Sequence, residues 1–155
     1  YKYVLLALLF FSAKTVLAQG ADDSSLMTYD LATVAMEASE AYARNQEWNV
    51  TILITDQNNN PVMLRRIDGA GARTFAFAIS KALVVTQTGL TSAEYGNRVG
   101  AGDIEGIEGG VTCAGGVTVY RNGQLVGAIA TSGVRAAQDE EVSLVGVETI
   151  GSSSN

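Results

Sequence analysis

Residues Cys113–Gly133, "CAGGVTVYRNGQLVGAIATSG", decide the fold. Asn122-Gly123 is the pair preferred in a two-residue type I′ hairpin, where both central positions need positive φ. The spacing predicts that Val117–Arg121 and Gln124–Thr131 pair antiparallel. Counting back from the turn, Arg121 opposes Gln124, Tyr120 opposes Leu125 and Val119 opposes Val126. Thr118 then opposes Gly127, and Val117 opposes Ala128. This register puts Val117, Val119, Val126 and Ala128 on one face, with Tyr120, Leu125 and Ile129 on the other. Both faces are apolar and need cover, so the hairpin is expected at the centre of a sheet between helices. Both ends of the hairpin are poor in side chains. Gly115-Gly116 precede the first strand and Ser132-Gly133 follow the second. Either the backbone bends or packs closely there, or a ligand approaches it. Free N–H groups at Ser132-Gly133, ahead of a helix, would suit an anion such as a carboxylate.

Upstream, Leu31, Val34, Ala35, Ala38 and Ala41 or Tyr42 recur at helical spacing between Met27 and Asn45, with Thr28 as N-cap. A second hairpin follows: a strand from Val50, the turn Asp56–Asn60, then Val62–Ile67 after Pro61. Residues 73–88 read as a helix ended by Gly89. Thr91-Ser-Ala-Glu94 reads as the capping box of a short helix. A glycine-rich loop occupies 99–110, and a last helix is expected over 136–150. Helix, hairpin, two helices, hairpin and helix make an α+β fold, a sheet of two hairpins with helices on both faces.

The start of the chain reads differently. Lys2, an apolar run from Val4 to Phe11 and Val16-Leu17-Ala18 have the layout of a secretory signal peptide over residues 1–18. The run is too short to span a bilayer. Secretion is therefore expected, with no membrane attachment after cleavage. Residues 19–27 read as a flexible segment, 28–150 as one domain and 151–155 as a tail.

Composition narrows the function. The 155 residues carry a net charge of −6 and no basic run beyond Arg65-Arg66. Nucleic acid is thus not an expected partner. There is no histidine, which removes histidine triads, bases and metal ligands. The single cysteine, Cys113, excludes an internal disulfide and is read as a buried small hydrophobe or a reactive thiol. Asp103, Glu105 and Glu108 lack EF-hand spacing and read as a solvated loop, so no metal site is expected. Asn49-Val50-Thr51 is a glycosylation sequon in a eukaryotic host.

"DQNNNPVMLRRIDGA", "ISKAL", "TSAEY", "GGVTVYRNGQLVGAIATSG" and "DEEVSLVG" occur here in this order. In order and spacing the set resembles the GlcG/HbpS-like proteins, also called the DUF336 or haem-degrading-domain family, over about residues 28–148. The resemblance implies a profilin-like antiparallel sheet flanked by helices, and self-association into homo-oligomers. It also implies a small-molecule ligand, since some members bind haem outside the cell. Asn59 stands where the family usually has glycine, and Ala130-Thr131 where Gly-Val is common. With no histidine in the chain, a histidine-ligated haem is not expected.

Each candidate residue has two readings. Lys81, inside an apolar helix, is a desolvated base or anion clamp, or else a lysine whose stem packs while its head reaches water. The resemblance favours a site role. Glu94 is an acid–base group or a cap residue, and Thr91 is a ligand contact or the N-cap. Arg66 and Asp68 hold a polar ligand, or Asp68 caps the following helix and Arg66 is a solvated strand end. Gly115, Gly116, Ser132 and Gly133 line a ligand site or serve turns. Asp139 is read as an early-helix carboxylate. Three functions stay open: a secreted small-ligand binder with haem or another tetrapyrrole among its candidate ligands, an isomerase- or lyase-type enzyme using Lys81 or Glu94 with backbone N–H groups as oxyanion donors, and a structural oligomeric subunit.

Overall fold

The computed structural model of the protein describes residues 26–154. The signal-peptide reading of 1–18 and the segment up to residue 25 lie outside the described residues. The elements run α1 (Tyr29–Asn45), β1 (Thr51–Asp56), β2 (Pro61–Arg66), α2 (Thr74–Thr88), α3 (Ser92–Ala101), β3 (Gly116–Arg121), β4 (Gln124–Ser132) and α4 (Ala136–Ile150). The four strands form one antiparallel sheet in the order β2-β1-β4-β3. This is the α+β arrangement expected, with the second hairpin supplying a central strand.

Side-chain alternation sorts the two layers. Ile52, Ile54, Val117, Val119 and Ile129 pack with Ala35, Met36, Val142 and Val147 of α1 and α4. On the opposite face, Leu53, Ala128 and Ala130 pack with Ala78, Ala82 and Val85 of α2. The small residues on that second face let α2 lie close. A Cβ at Gly116 would sit 2.8 Å from the Lys81 carbonyl oxygen in α2.

The hairpin register differs from the expected one beyond its first two pairs. Arg121 opposes Gln124 and Tyr120 opposes Leu125, but Val119 then opposes Gly127 and Val117 opposes Ile129. Val126 is the extra residue of a bulge. One added residue exchanges the faces of everything after it. Ile129 therefore joins Val117 and Val119, while Ala128 turns to α2. The tight turn itself is as expected, with Asn122 at φ 50 and Gly123 at φ 76.

The helix caps follow the sequence. Thr28 Oγ1 accepts from the Leu31 amide, Gly89 closes α2 at φ 68, and Thr91 Oγ1 accepts from the Glu94 amide. Residues 151–153, just beyond α4, stay on the domain. Ser152 and Tyr120 exchange two backbone hydrogen bonds, 2.8 and 3.0 Å, and Thr118 Oγ1 donates to the Ser153 carbonyl. This short strap lies along the outer edge of β3. No described helix is long and apolar enough to cross a membrane.

Candidate functional site

At the end of the sheet where β4 runs into α4, a buried polar network replaces the apolar core. Lys81 lies on the sheet-facing side of α2 among Ala78, Ala82 and Val85, so its ammonium points inward and is 2 % exposed. Nζ donates to the Thr131 carbonyl and to Asp139 Oδ2, both at 2.8 Å. The other carboxylate oxygen, Oδ1, accepts from the Val134 amide at 3.1 Å. Burial raises the Asp139 pKa above the ordinary carboxylate value, and the bond to Lys81 offsets only part of that rise. Ser143 Oγ bonds Gly115 O and Thr131 Oγ1, each at 2.8 Å, and the Gly116 amide donates to Ser92 Oγ. The network thus ties α2, α3, β3, β4 and α4 together.

A cavity of about 220 Å³ opens directly over the ion pair. Phe77, Val134 and Ala136 line it with hydrocarbon, and Cys113, Ser132, Lys81 and Asp139 add polar groups. Ala136 is the first residue of α4, so the positive end of that helix forms part of the wall. Glu140, on the next position of α4 after Asp139, is half-buried. Desolvation raises its pKa, with Lys81 opposing the rise. A larger groove of about 380 Å³, between Leu31 and Val34 of α1 and Arg121, contains no buried charge.

The structure brings Lys81 and Ser132 together in this cavity and places Gly115 and Gly116 in the network behind it. The space each glycine leaves is taken by the chain itself. A Cβ at Gly115 would lie 2.6 Å from both Lys81 Nζ and Thr131 O, and one at Gly133 would lie 2.5 Å from Asn49 O. Glu94 stands apart, exposed on α3 and paired with Arg98 at 2.6 Å. Thr91 is the α3 N-cap. The Arg66 guanidinium donates to the Ala70 carbonyl, and Asp68 is exposed in the turn before α2. Asp68 does not cap that helix, which begins only at Thr74. Among the described residues no group of three acidic or thiol side chains could hold a metal.

Asp139, Phe77 and Val134 were not marked as site residues by the sequence. A signal for Asp139 existed: it shares the spacing of Val142, Ser143 and Gly146, the buried face of α4. A carboxylate on an apolar face requires a cation, and Lys81 is the lysine on the matching face of α2.

The comparisons with known proteins bear on this geometry. No curated protein matches the chain. Among solved structures it is similar to HbpS, with 27 % identity and a TM-score of 0.75 over 82 % of this chain and 92 % of that one. A double mutant of Streptomyces reticuli HbpS aligns at 25 % identity and TM-score 0.76 over 98 % of this chain and all of that one. PduOC, solved as a haem complex, shares the fold at 20 % identity and TM-score 0.78, over 84 % and 99 % of the two chains. The family model described as "Haem degrading protein HbpS-like" matches residues 27–148, nearly all of the described fold, and the chain belongs to that HbpS-like family.

Proposed function

We propose that this protein is a secreted small-ligand-binding member of the HbpS-like family, and that its ligand enters the cavity over the Lys81–Asp139 pair. One observation carries the reading: a preformed opening ends on a desolvated ion pair, flanked by a thiol, a hydroxyl and the first turn of a helix. Sites that bind small molecules combine such an apolar wall with a few fixed polar groups. Secretion rests on the signal-like residues 1–18. Self-association rests on the family and on the exposed Leu64, Phe75 and Ile79 at the α2–β2 flank.

Haem is bound in the PduOC complex and is named in the family's description, which supports a tetrapyrrole as a second reading. The residues present do not fit an enclosed haem. The cavity is smaller than the ~300–1,000 Å³ usual for larger organic ligands, and no histidine is available. Of the side chains that commonly ligate haem iron, only Cys113 lines it. A tetrapyrrole would need another surface or a junction between copies. Glu94 does not line the cavity and is paired with Arg98, so no catalytic step is proposed.

Native mass spectrometry of protein from its own host reads ligand mass and subunit count together. A small adduct that disappears in Val134→Trp, which fills the cavity, supports the reading, provided circular dichroism shows an intact fold. An adduct that persists in that variant overturns it. A haem-mass adduct with a Soret band replaces it with the tetrapyrrole reading.

A further inference from the structure

Resting on the cavity reading above, we infer that the ligand is a small monocarboxylic acid, its carboxylate held by the first turn of α4 and the Ser132 hydroxyl. The first amides of a helix have no partner within it. Here the two preceding amides are already taken: Val134 N–H by Asp139 Oδ1 and Arg135 N–H by Gln138 Oε1. Ala136 and Ala137 N–H groups are left, and Ala136 is in the cavity wall. Ser132 supplies the independent observation. It is 7 % exposed and lines the same cavity, and its Oγ makes no hydrogen bond among the described residues. That oxygen is not sealed from the cavity, so its O–H is free to donate to a guest there.

The charges sharpen the class. Lys81 is neutralised by Asp139, and the half-buried Glu140 adds negative potential beside it. Attraction therefore comes from oriented N–H and O–H donors rather than from net charge. That suits a single carboxylate and disfavours phosphates or dicarboxylates, which carry more negative charge. Size agrees. A cavity of roughly 150 Å³ accepts benzene, so this one takes an acid of roughly six to eight non-hydrogen atoms, its hydrocarbon against Phe77 and Val134.

The test titrates the full chain with butyrate and isovalerate, and with butyramide and isovaleramide, by ligand-observed NMR. The acids should bind at least about tenfold more tightly than the amides, because charge-assisted bonds are the stronger ones. Ala136→Pro is the sharpest variant. Proline fits the first helical position, where it removes the N–H and adds ring carbons, so unchanged amide binding in this variant is what separates a lost donor from an obstructed cavity; Arg135, at φ −70 and ψ 147, already has the conformation a residue before proline requires. It should keep the fold and weaken the acids about tenfold, and Ser132→Ala should also weaken them. Equal binding of acids and amides overturns the carboxylate assignment but leaves the cavity reading intact. Acid binding untouched by both variants overturns the assignment to α4. Absence of binding in both series, with no small adduct on host-purified protein, removes the cavity reading as well.

Discussion

Lys81 Nζ lies 2.8 Å from Asp139 Oδ2, and the two side chains are 2 % and 4 % exposed. A pair this dry acts as a bolt between α2 and α4 more than as a source of net stability. Bringing two ions out of water costs several kcal/mol each, and the attraction between them returns that cost only when every remaining bond is made. Here Thr131 O takes a second ammonium proton and the Val134 amide serves the second carboxylate oxygen, while the third N–H of Lys81 has no partner among the described residues.

Removing one partner should therefore be worse than removing both. Lys81→Met should lower unfolding stability by about 3–5 kcal/mol, because it strands a buried carboxylate. The double variant Lys81→Met, Asp139→Leu should recover most of that loss. Urea unfolding of the four proteins in the cycle measures the coupling. A single variant within about 1 kcal/mol of the parent would mean the pair is solvated.

The neighbouring carboxylate gives a pH signature. The Glu140 pKa is raised from 4.5 by desolvation, with Lys81 opposing. The folded state then holds its proton to higher pH than the unfolded chain does, so this group's contribution to stability falls as pH rises from 4.5 through the raised value. Asp139, raised from 3.8, acts in the same direction. Glu40, lowered by Arg65 and Arg44, opposes them in acid. Glu140→Gln removes one of these contributions without touching the ion pair. Its urea midpoint should exceed the parent's at pH 7, and the difference should vanish below pH 4.5. An unchanged difference across that range would show that Glu140 is solvated.

Much of this architecture was legible because local rules agreed. Asn122-Gly123, the Thr28 and Thr91 caps and the terminating Gly89 each acted through chemistry confined to a few residues. The bulge at Val126 was not legible. It is set by how Ala128 and Ile129 divide between two layers that meet only in three dimensions. The site shows the same division. Lys81 stood out as a charge on an apolar helix, but its partner is 58 residues away along the chain. The bare backbone at Gly115, Gly116 and Gly133 was visible in the sequence. What fills it was not, because the atoms that approach belong to α2, β4 and Asn49.

Those glycines differ in a measurable way. Gly115 has φ +123, and a Cβ there meets Lys81 Nζ, Thr131 O and Asp139 Cβ within 2.8 Å. Gly102 has φ +80 but open space around it. Gly102→Ala should cost about 1–2 kcal/mol, the backbone penalty alone. Gly115→Ala adds overpacking against the ion pair and should cost about 3 kcal/mol or more. Thermal unfolding of both variants makes the comparison. Equal losses would mean that the Gly115 surroundings yield freely.

The sheet edges predict how the chain behaves when shortened. Unpaired strand edges recruit other strands, and the strap at Ser152 and Ser153 occupies the β3 edge at Tyr120 and Thr118. Gly151 makes the turn possible, since a Cβ there would collide with the Tyr120 carbonyl oxygen. Ending the chain at Ile150 strips the β3 edge of two backbone bonds and one side-chain bond. At about 0.5–1.5 kcal/mol each, that is a loss of roughly 2–4 kcal/mol. Hydrogen exchange at the Tyr120 amide should be slow in the full chain and fast in the shortened one, and light scattering should show the shortened form associating more readily. Fast exchange of that amide in the full chain would mean that the strap does not hold the edge in solution.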